Sequence, residues 1–477
     1  MSANEFLALS PLLLLAGASV LIMLLVALRC SHRIIQLGSS CLFIISFVLL
    51  FYAYGSAPRL IEPLLIVDGF SLFISGLIIC SAFVVNILSY IYFEEKEEGP
   101  KEYYVLLFLC TLGACVLALS KHFISLFLGL EILTVGLYAL ISYLRERNFA
   151  IEAGIKYLVL AAFSSAFLLF GMALVYLETG SMDFSALSKY LSMCPPSAVF
   201  FMGLGMMLVG IGFKLAVVPF HMWTADVYQG APAPVTAFIA TASKGGIFAV
   251  LFRFFLMTGG FQYNKLTLVL TFIALASMLV GNLLALQQNN VKRILAYSSI
   301  AHLGYMLVAF IPGSPMSISA IGFYLLAYFV TTLAAFGVVT VISDKGNDAE
   351  NLESYRGLFW RQPLLACIFS SALISLAGIP LTAGFIGKFY ILAASIQARF
   401  WLPALMLVLG SVIGLFYYLR IITRMFSSPL DVGERPSAHP VFYLLSSATL
   451  SVLSLLIIWF GIYPSGLISL MDHLWRR

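Results

Sequence analysis

The chain has 477 residues, of which 62% are hydrophobic and only 10% charged, with a formal net charge of +5. A soluble domain of this length needs far more charge to cover its surface. Apolar runs of about 20 residues recur from end to end, the length that crosses a hydrocarbon core of about 30 Å. A membrane β-barrel is excluded, because its segments alternate over about ten residues. The expected class is an all-α polytopic membrane protein.

The opening segment, MSANEFLALSPLLLL, has no basic residue before its apolar run and reads as a first membrane span, not a cleaved signal. Fourteen spans are expected, near 8–28, 34–54, 69–92, 103–119, 122–143, 152–178, 197–219, 234–257, 264–286, 294–311, 317–341, 361–398, 402–425 and 441–465. The seventh runs past Pro219 into a half-apolar segment. The twelfth is too long for one straight helix and contains Gly378-Ile379-Pro380. Both are expected to be broken helices.

Orientation follows from lysine and arginine in the loops. The odd-numbered loops hold fifteen (Arg29, Arg33, Lys96, Lys101, Arg145, Arg147, Lys156, Lys292, Arg293, Lys345, Arg356, Arg361, Arg420, Arg424, Arg435). The even loops and the C-terminus hold eight (Arg59, Lys121, Lys189, Arg253, Lys265, Arg399, Arg476, Arg477). The odd loops are expected to face the cytoplasm, which puts both termini on the opposite, periplasmic side.

Three basic residues remain inside spans, Lys214, Lys244 and Lys388, and one acid, Glu131, sits clearly mid-span. A charge at the bilayer centre costs about 2.5–3.5 kcal/mol on insertion scales, so these four are candidate carriers of charge or protons. Glu131 is the natural partner of one lysine, as a switchable pair or as a static ion pair. Lys244, beside Thr241 and Ser243 and before Gly245-Gly246, lies too deep for a snorkelling side chain to be the simpler reading. Lys388 follows a break and two glycines. His221 and His302 are candidate relays near neutral pH, or histidines that bond a neighbouring helix. Asp226 is expected to cap or end the segment after the break, and Lys292-Arg293 to anchor the tenth span at the cytoplasmic face. The seven cysteines (30, 41, 80, 110, 115, 194, 367) form no CxxC pair and read as small core residues. Tyrosine, methionine and phenylalanine read as lipid-facing or packing residues.

Spans four to eight and nine to thirteen form two groups of five, each with a proline-interrupted fourth member that carries a lysine. An odd-numbered group must re-enter from the other face, which predicts an inverted repeat. The expected organisation is a single membrane domain over 1–477: three helices in 1–102, the first repeat in 103–257, the second in 258–425 and a C-terminal helix in 426–477. Phosphate loops, GxGxxG, HExxH, clustered His/Cys ligands and basic nucleic-acid patches are absent from the sequence.

Three long motifs carry a resemblance: GFKLAVVPFHMWTADVYQGAPAPVTAFIATASK, NNVKRILAYSSIAHLGYML and SLAGIPLTAGFIGKFYILAA. They resemble the antiporter-like membrane subunits of respiratory complex I, the proton-pumping NADH:quinone oxidoreductase, over nearly the whole chain. The resemblance implies fourteen helices with two inverted five-helix repeats, two broken helices and a proton path at mid-membrane. By motif, the family's glutamate of the fifth span falls on Glu131 and its lysines of the seventh, eighth and twelfth on Lys214, Lys244 and Lys388. The lysine of the twelfth span separates the chain from sister subunit M, which carries glutamate there. The short C-terminus separates it from subunit L with its lateral helix. Ala225 departs from the family, which has proline at that position.

The resemblance further implies no cofactor in this chain, with flavin, Fe–S clusters and quinone in partner subunits. The implied partners are other membrane subunits, including subunit M, a small membrane subunit and the lateral helix of subunit L, together with lipid, water and protons, and no nucleic acid. The implied location is the bacterial inner membrane. The rivals are a subunit of a multisubunit cation/proton antiporter or membrane-bound hydrogenase, a passive scaffold, and a solute transporter.

Overall fold

With no water in a bilayer core to satisfy backbone N–H and C=O groups, each apolar run must close its own hydrogen bonds as a helix. The computed structural model describes residues 3–94, 101–147, 149–343, 348–428 and 440–475. In chain order the helices are α1 (Ala3–Ala27), α2 (His32–Ser56), α3 (Gly69–Glu94), α4 (Glu102–Leu119), α5 (Phe123–Ile141), α6 (Ala150–Thr179), α7 (Phe184–Met193), α8 (Ala198–Leu215), α9 (Thr224–Gly230), α10 (Ala233–Phe238), α11 (Lys244–Thr258) and α12 (Asn264–Leu286). They continue as α13 (Val291–Phe310), α14 (Pro315–Ile342), α15 (Leu358–Arg361), α16 (Pro363–Ala377), α17 (Ala383–Gln397), α18 (Trp401–Phe426), α19 (Pro440–Ile462) and α20 (Ser465–Trp475). One antiparallel hairpin, β1 (Arg59–Ile61) with β2 (Leu65–Val67), joins α2 to α3.

Thirteen helices among the described residues are long and apolar enough to cross a membrane, and the short apolar pair α16 and α17 supplies a broken fourteenth crossing. The chain is a multi-pass membrane protein. The hairpin, the amphipathic α7 and the terminal α20 are elements that span counting does not reach. Lys96, Lys345, Arg435, Arg476 and Arg477, used for orientation, lie outside the described residues.

Both expected breaks are present. The α8 helix stops at Leu215, where Ala216 turns left-handed at φ 61° and its N–H returns to Gly212 and Phe213. The chain resumes as α9 after a turn that contains Pro219. The α16 helix stops at Ala377, with Gly378 at φ 85°, and α17 begins at Ala383. A third interruption has no proline signal: between α10 and α11, Ile239–Ser243 forms a π turn, a wider winding that recurs at functional sites.

The most enclosed segments are α10–α11, α13 and α14, whereas α1, α2, α18 and α19 lie at the periphery. In the first half α4 packs on α5 and α6 on α8; in the second, α12 packs on α13 and α16 on α18. Several expectations require correction. Arg253, counted with the loops, is buried in α11 and forms a bidentate pair with Asp68 at 2.8 and 2.9 Å. Lys156 lies inside α6. Only Cys110 and Cys115 are buried; Cys30 is half-buried, and Cys41, Cys80, Cys194 and Cys367 are exposed.

Candidate functional site

The three intramembrane lysines each sit beside a local irregularity of the helix that carries them. Lys214 is in the last turn of α8, Lys244 follows the π turn, and Lys388 faces the gap between α16 and α17. All three are buried, at 3, 2 and 7% exposure. A buried ammonium needs acceptors for its donors, and each finds them differently.

Lys214 Nζ donates to Thr134 Oγ1 on α5 at 2.8 Å and lies 5.7 Å from the Tyr157 ring centre. The expected direct pairing with Glu131 is not formed: no carboxylate oxygen of the described residues lies within 4.0 Å of the ammonium. Glu131 instead accepts from Ser165 Oγ on α6 at 2.7 Å, within electrostatic range of Lys214. Residues 131 and 134 are neighbours on one helical face, so the hydroxyl stands where the carboxylate was expected.

Lys244 Nζ donates to Ser299 Oγ on α13 at 2.7 Å, and its charge lies 5.5 Å from the Tyr228 ring centre. Lys388 Nζ donates to the carbonyls of Leu376 and Ala377, both at 2.9 Å. These are the last carbonyls of α16, where the helix dipole favours a cation. The approach requires glycine at 378, since a Cβ there would meet Lys388 Cδ at 2.9 Å.

His302 lies within electrostatic range of both Lys244 and Lys388. Its Nδ1 shares a hydrogen bond with Tyr324 Oη at 2.6 Å and its Nε2 one with Tyr418 Oη at 3.2 Å. Tyr418 also bonds Ser298, and Tyr417 and Tyr305 meet Asn282 at 3.1 Å each. The Tyr305 ring centre lies 5.1 Å from Lys388 Nζ. The tyrosines of this region are therefore not lipid-facing: their hydroxyls form an enclosed polar network between the lysines. The signal was present in the tenth span, where Ser298, His302 and Tyr305 fall at spacings of four and three on one helical face.

His221 is set apart, in the turn after α8. It bonds none of the three lysines, and its buried Nδ1 has no hydrogen-bond partner among the described residues. Asp226 does not end a segment. It lies in the first turn of α9 and bridges Lys156 at 2.9 Å and Arg293 at 2.8 Å. Lys292 is not a surface anchor: it is fully buried and paired with an equally buried Asp348 side chain at 2.7 Å. Ala225 takes the second position of α9, where proline also fits because first-turn N–H groups have no intrahelical acceptor. Among the described residues no three His, Cys, Asp or Glu side chains gather in a way that could hold a metal ion.

Buried lysines with hydroxyl and carbonyl acceptors, beside helix breaks and with one carboxylate in electrostatic range, can hold and pass protons. The comparisons agree in kind. The family model described as "NADH:quinone oxidoreductase/Mrp antiporter, TM" matches residues 120–414. A relative from Nitrosospira multiformis, NADH-quinone oxidoreductase subunit N, is 50% identical across 98% of this chain and 96% of its own length. One of the same description from Ectopseudomonas mendocina is 43% identical across 99% and 97%. A chain of respiratory complex I from Thermus thermophilus, solved with bound aureothin, superposes with a TM-score of 0.82 at 33% identity, covering 96% of this chain and 98% of that one. The chain belongs to the subunit N family of NADH-quinone oxidoreductase, the antiporter-like membrane subunits of respiratory complex I.

Proposed function

We propose that this chain translocates protons through Glu131, Lys214, Lys244 and Lys388, with His302 as a relay and His221 as a further candidate, driven by quinone reduction in other subunits. The observation that carries the reading is the series of buried ammonium contacts, Lys214 to Thr134, Lys244 to Ser299 and Lys388 to the end of α16, with His302 between the last two. A carboxylate beside an ammonium favours both charged forms, and its withdrawal lets burial favour the neutral amine. Glu131, held aside by Ser165, has to turn from that hydroxyl to reach Lys214. Approach loads the lysine; retreat releases the proton toward Lys244 and Lys388. Moving one charge against 100 mV requires about 2.3 kcal/mol.

In this reading the two five-helix groups are inverted repeats that offer half-paths from opposite faces. Flavin, Fe–S clusters and quinone sit in partner subunits, and purified alone the chain oxidises no NADH. The partners are sister subunit M, a small membrane subunit and the lateral helix of subunit L, in a bacterial inner membrane with both termini periplasmic.

The test is Lys214→Ala in the assembled complex in inside-out vesicles, with NADH-dependent quinone reduction and proton uptake recorded together and assembly checked on a native gel. Collapse of both with assembly intact is the expected result. Wild-type levels of both would overturn the reading and favour a scaffold.

A further inference from the structure

The proposed path leaves one fully buried ion pair without a role. Lys292 Nζ donates to Asp348 Oδ2 at 2.7 Å, to the carbonyl of Ala231 at 2.7 Å and to that of Gln229 at 2.8 Å. An ammonium has three donors, so this one is saturated. Asp348 also accepts from Tyr92 Oη at 2.6 Å and from Arg147 at 2.9 Å. Five parts of the chain meet there: α3, the α5–α6 connection, the end of α9, the start of α13 and the segment after α14.

Gln229 and Ala231 are the carbonyl end of α9. With seven residues, α9 is too short to be stable alone. The Lys292 ammonium sits at the end its dipole favours. The same helix is held from Arg293, which bonds Asp226 at 2.8 Å and the Gln229 side chain at 3.0 Å. Tyr228, next to Gln229, puts its hydroxyl 3.4 Å from Ser299 Oγ and its ring centre 5.5 Å from Lys244 Nζ. Residues 292 and 299 are seven apart on α13, two turns, and so share a face. One face of α13 thus clamps α9 with Lys292 and holds Lys244 with Ser299.

We propose that Lys292 and Asp348 are positioning residues for the Lys244 step: the pair locks α9 onto α13 so that Tyr228 and Ser299 frame the Lys244 ammonium. The inference rests on the proton-path reading. The titratable and charged groups at the pair are Tyr92 and Arg147, with Glu350 and Tyr355 on the flanking segment; those at Lys244 are Tyr228 and His302.

The test uses the assembled complex in vesicles and compares Lys292→Met, Asp348→Asn, the double variant, Lys292→Arg and Lys244→Ala. Proton uptake and NADH oxidation are measured across pH, with assembly on a native gel. Misplacing a reacting group by about 1 Å costs up to about 100-fold, so each single variant should pump about tenfold or more slowly. The double variant leaves no unpaired ammonium at 292, so it should assemble. It should still pump slowly, with a shifted pH profile. Lys292→Arg should restore more than half the rate. A double variant with wild-type pumping and an unshifted profile would overturn the inference. If the double variant fails to assemble, Asp348→Asn decides: slowed pumping with a shifted profile supports positioning, and wild-type pumping with an unshifted profile overturns it. Lys244→Ala separates the two readings. If it pumps normally the path falls and the inference with it; if it is inactive while the double variant is normal, only the positioning role falls.

Discussion

Lys214 and Glu131 do not touch: the ammonium donates to Thr134 at 2.8 Å while the carboxylate accepts from Ser165 at 2.7 Å. The two groups are near enough to interact and far enough apart to need a movement before they pair. This arrangement makes Thr134 and Ser165 the holders of the separated state.

Thr134→Val keeps the shape of the side chain and removes the acceptor of Lys214. Leaving a buried donor unsatisfied costs about 1–3 kcal/mol. Proton uptake in vesicles should fall severalfold with assembly unchanged, and Thr134→Ser should restore it. Normal pumping by the valine variant would show that the contact is incidental.

Ser299→Ala should slow pumping more than Tyr228→Phe. The serine is the hydrogen-bond acceptor of Lys244 at 2.7 Å, whereas the tyrosine hydroxyl stands 3.4 Å from that serine. The comparison is read as initial rates of NADH-driven uptake in matched vesicles. The reverse order would place the acceptor role on the tyrosine.

Gly378→Ala should impair pumping about as strongly as Lys388→Met. A left-handed alanine costs about 1–2 kcal/mol, and its Cβ would meet Lys388 Cδ at 2.9 Å. The lysine must then leave the α16 carbonyls. Rates in assembled complexes, with Gly180→Ala, left-handed at φ 67° but open around its Cβ, as a control for backbone strain alone, check this.

Asp68→Asn should destabilise the protein by about 3–5 kcal/mol, since it leaves the Arg253 guanidinium buried and unpaired. Burial alone would raise the Asp68 carboxyl, but the Arg253 guanidinium and the Ser71 bonds outweigh it and hold the carboxyl below its ordinary value. Its stabilising contribution is complete above the unfolded carboxylate value of about 4 and is lost as pH falls through the lowered one. Thermal unfolding in detergent should show a melting difference between wild type and Asp68→Asn that is constant at neutral pH and closes in acid. A difference that widens in acid would contradict the pairing.

Local sequence alone determined the membrane class, the order of crossings and both proline-marked breaks, because a bilayer forces each apolar run to satisfy its own backbone. It also picked out Lys214, Lys244, Lys388 and Glu131, because charge is costly there. Tertiary structure decided the partners. Thr134 is 80 residues from Lys214, Ser299 is 55 from Lys244 and Asp348 is 56 from Lys292. The sequence by itself does not single out Thr134 or Ser299, and it reads Lys292 as an anchor at the cytoplasmic face. Only the fold brings the ammonium groups of α8 and α11 within reach of α5 and α13, and Asp348 of the segment after α14 up to Lys292. The π turn before Lys244 likewise contains no proline or glycine of its own. Hydropathy is a property of each segment, whereas the acceptor of a buried ammonium is set by which distant helix lies beside it.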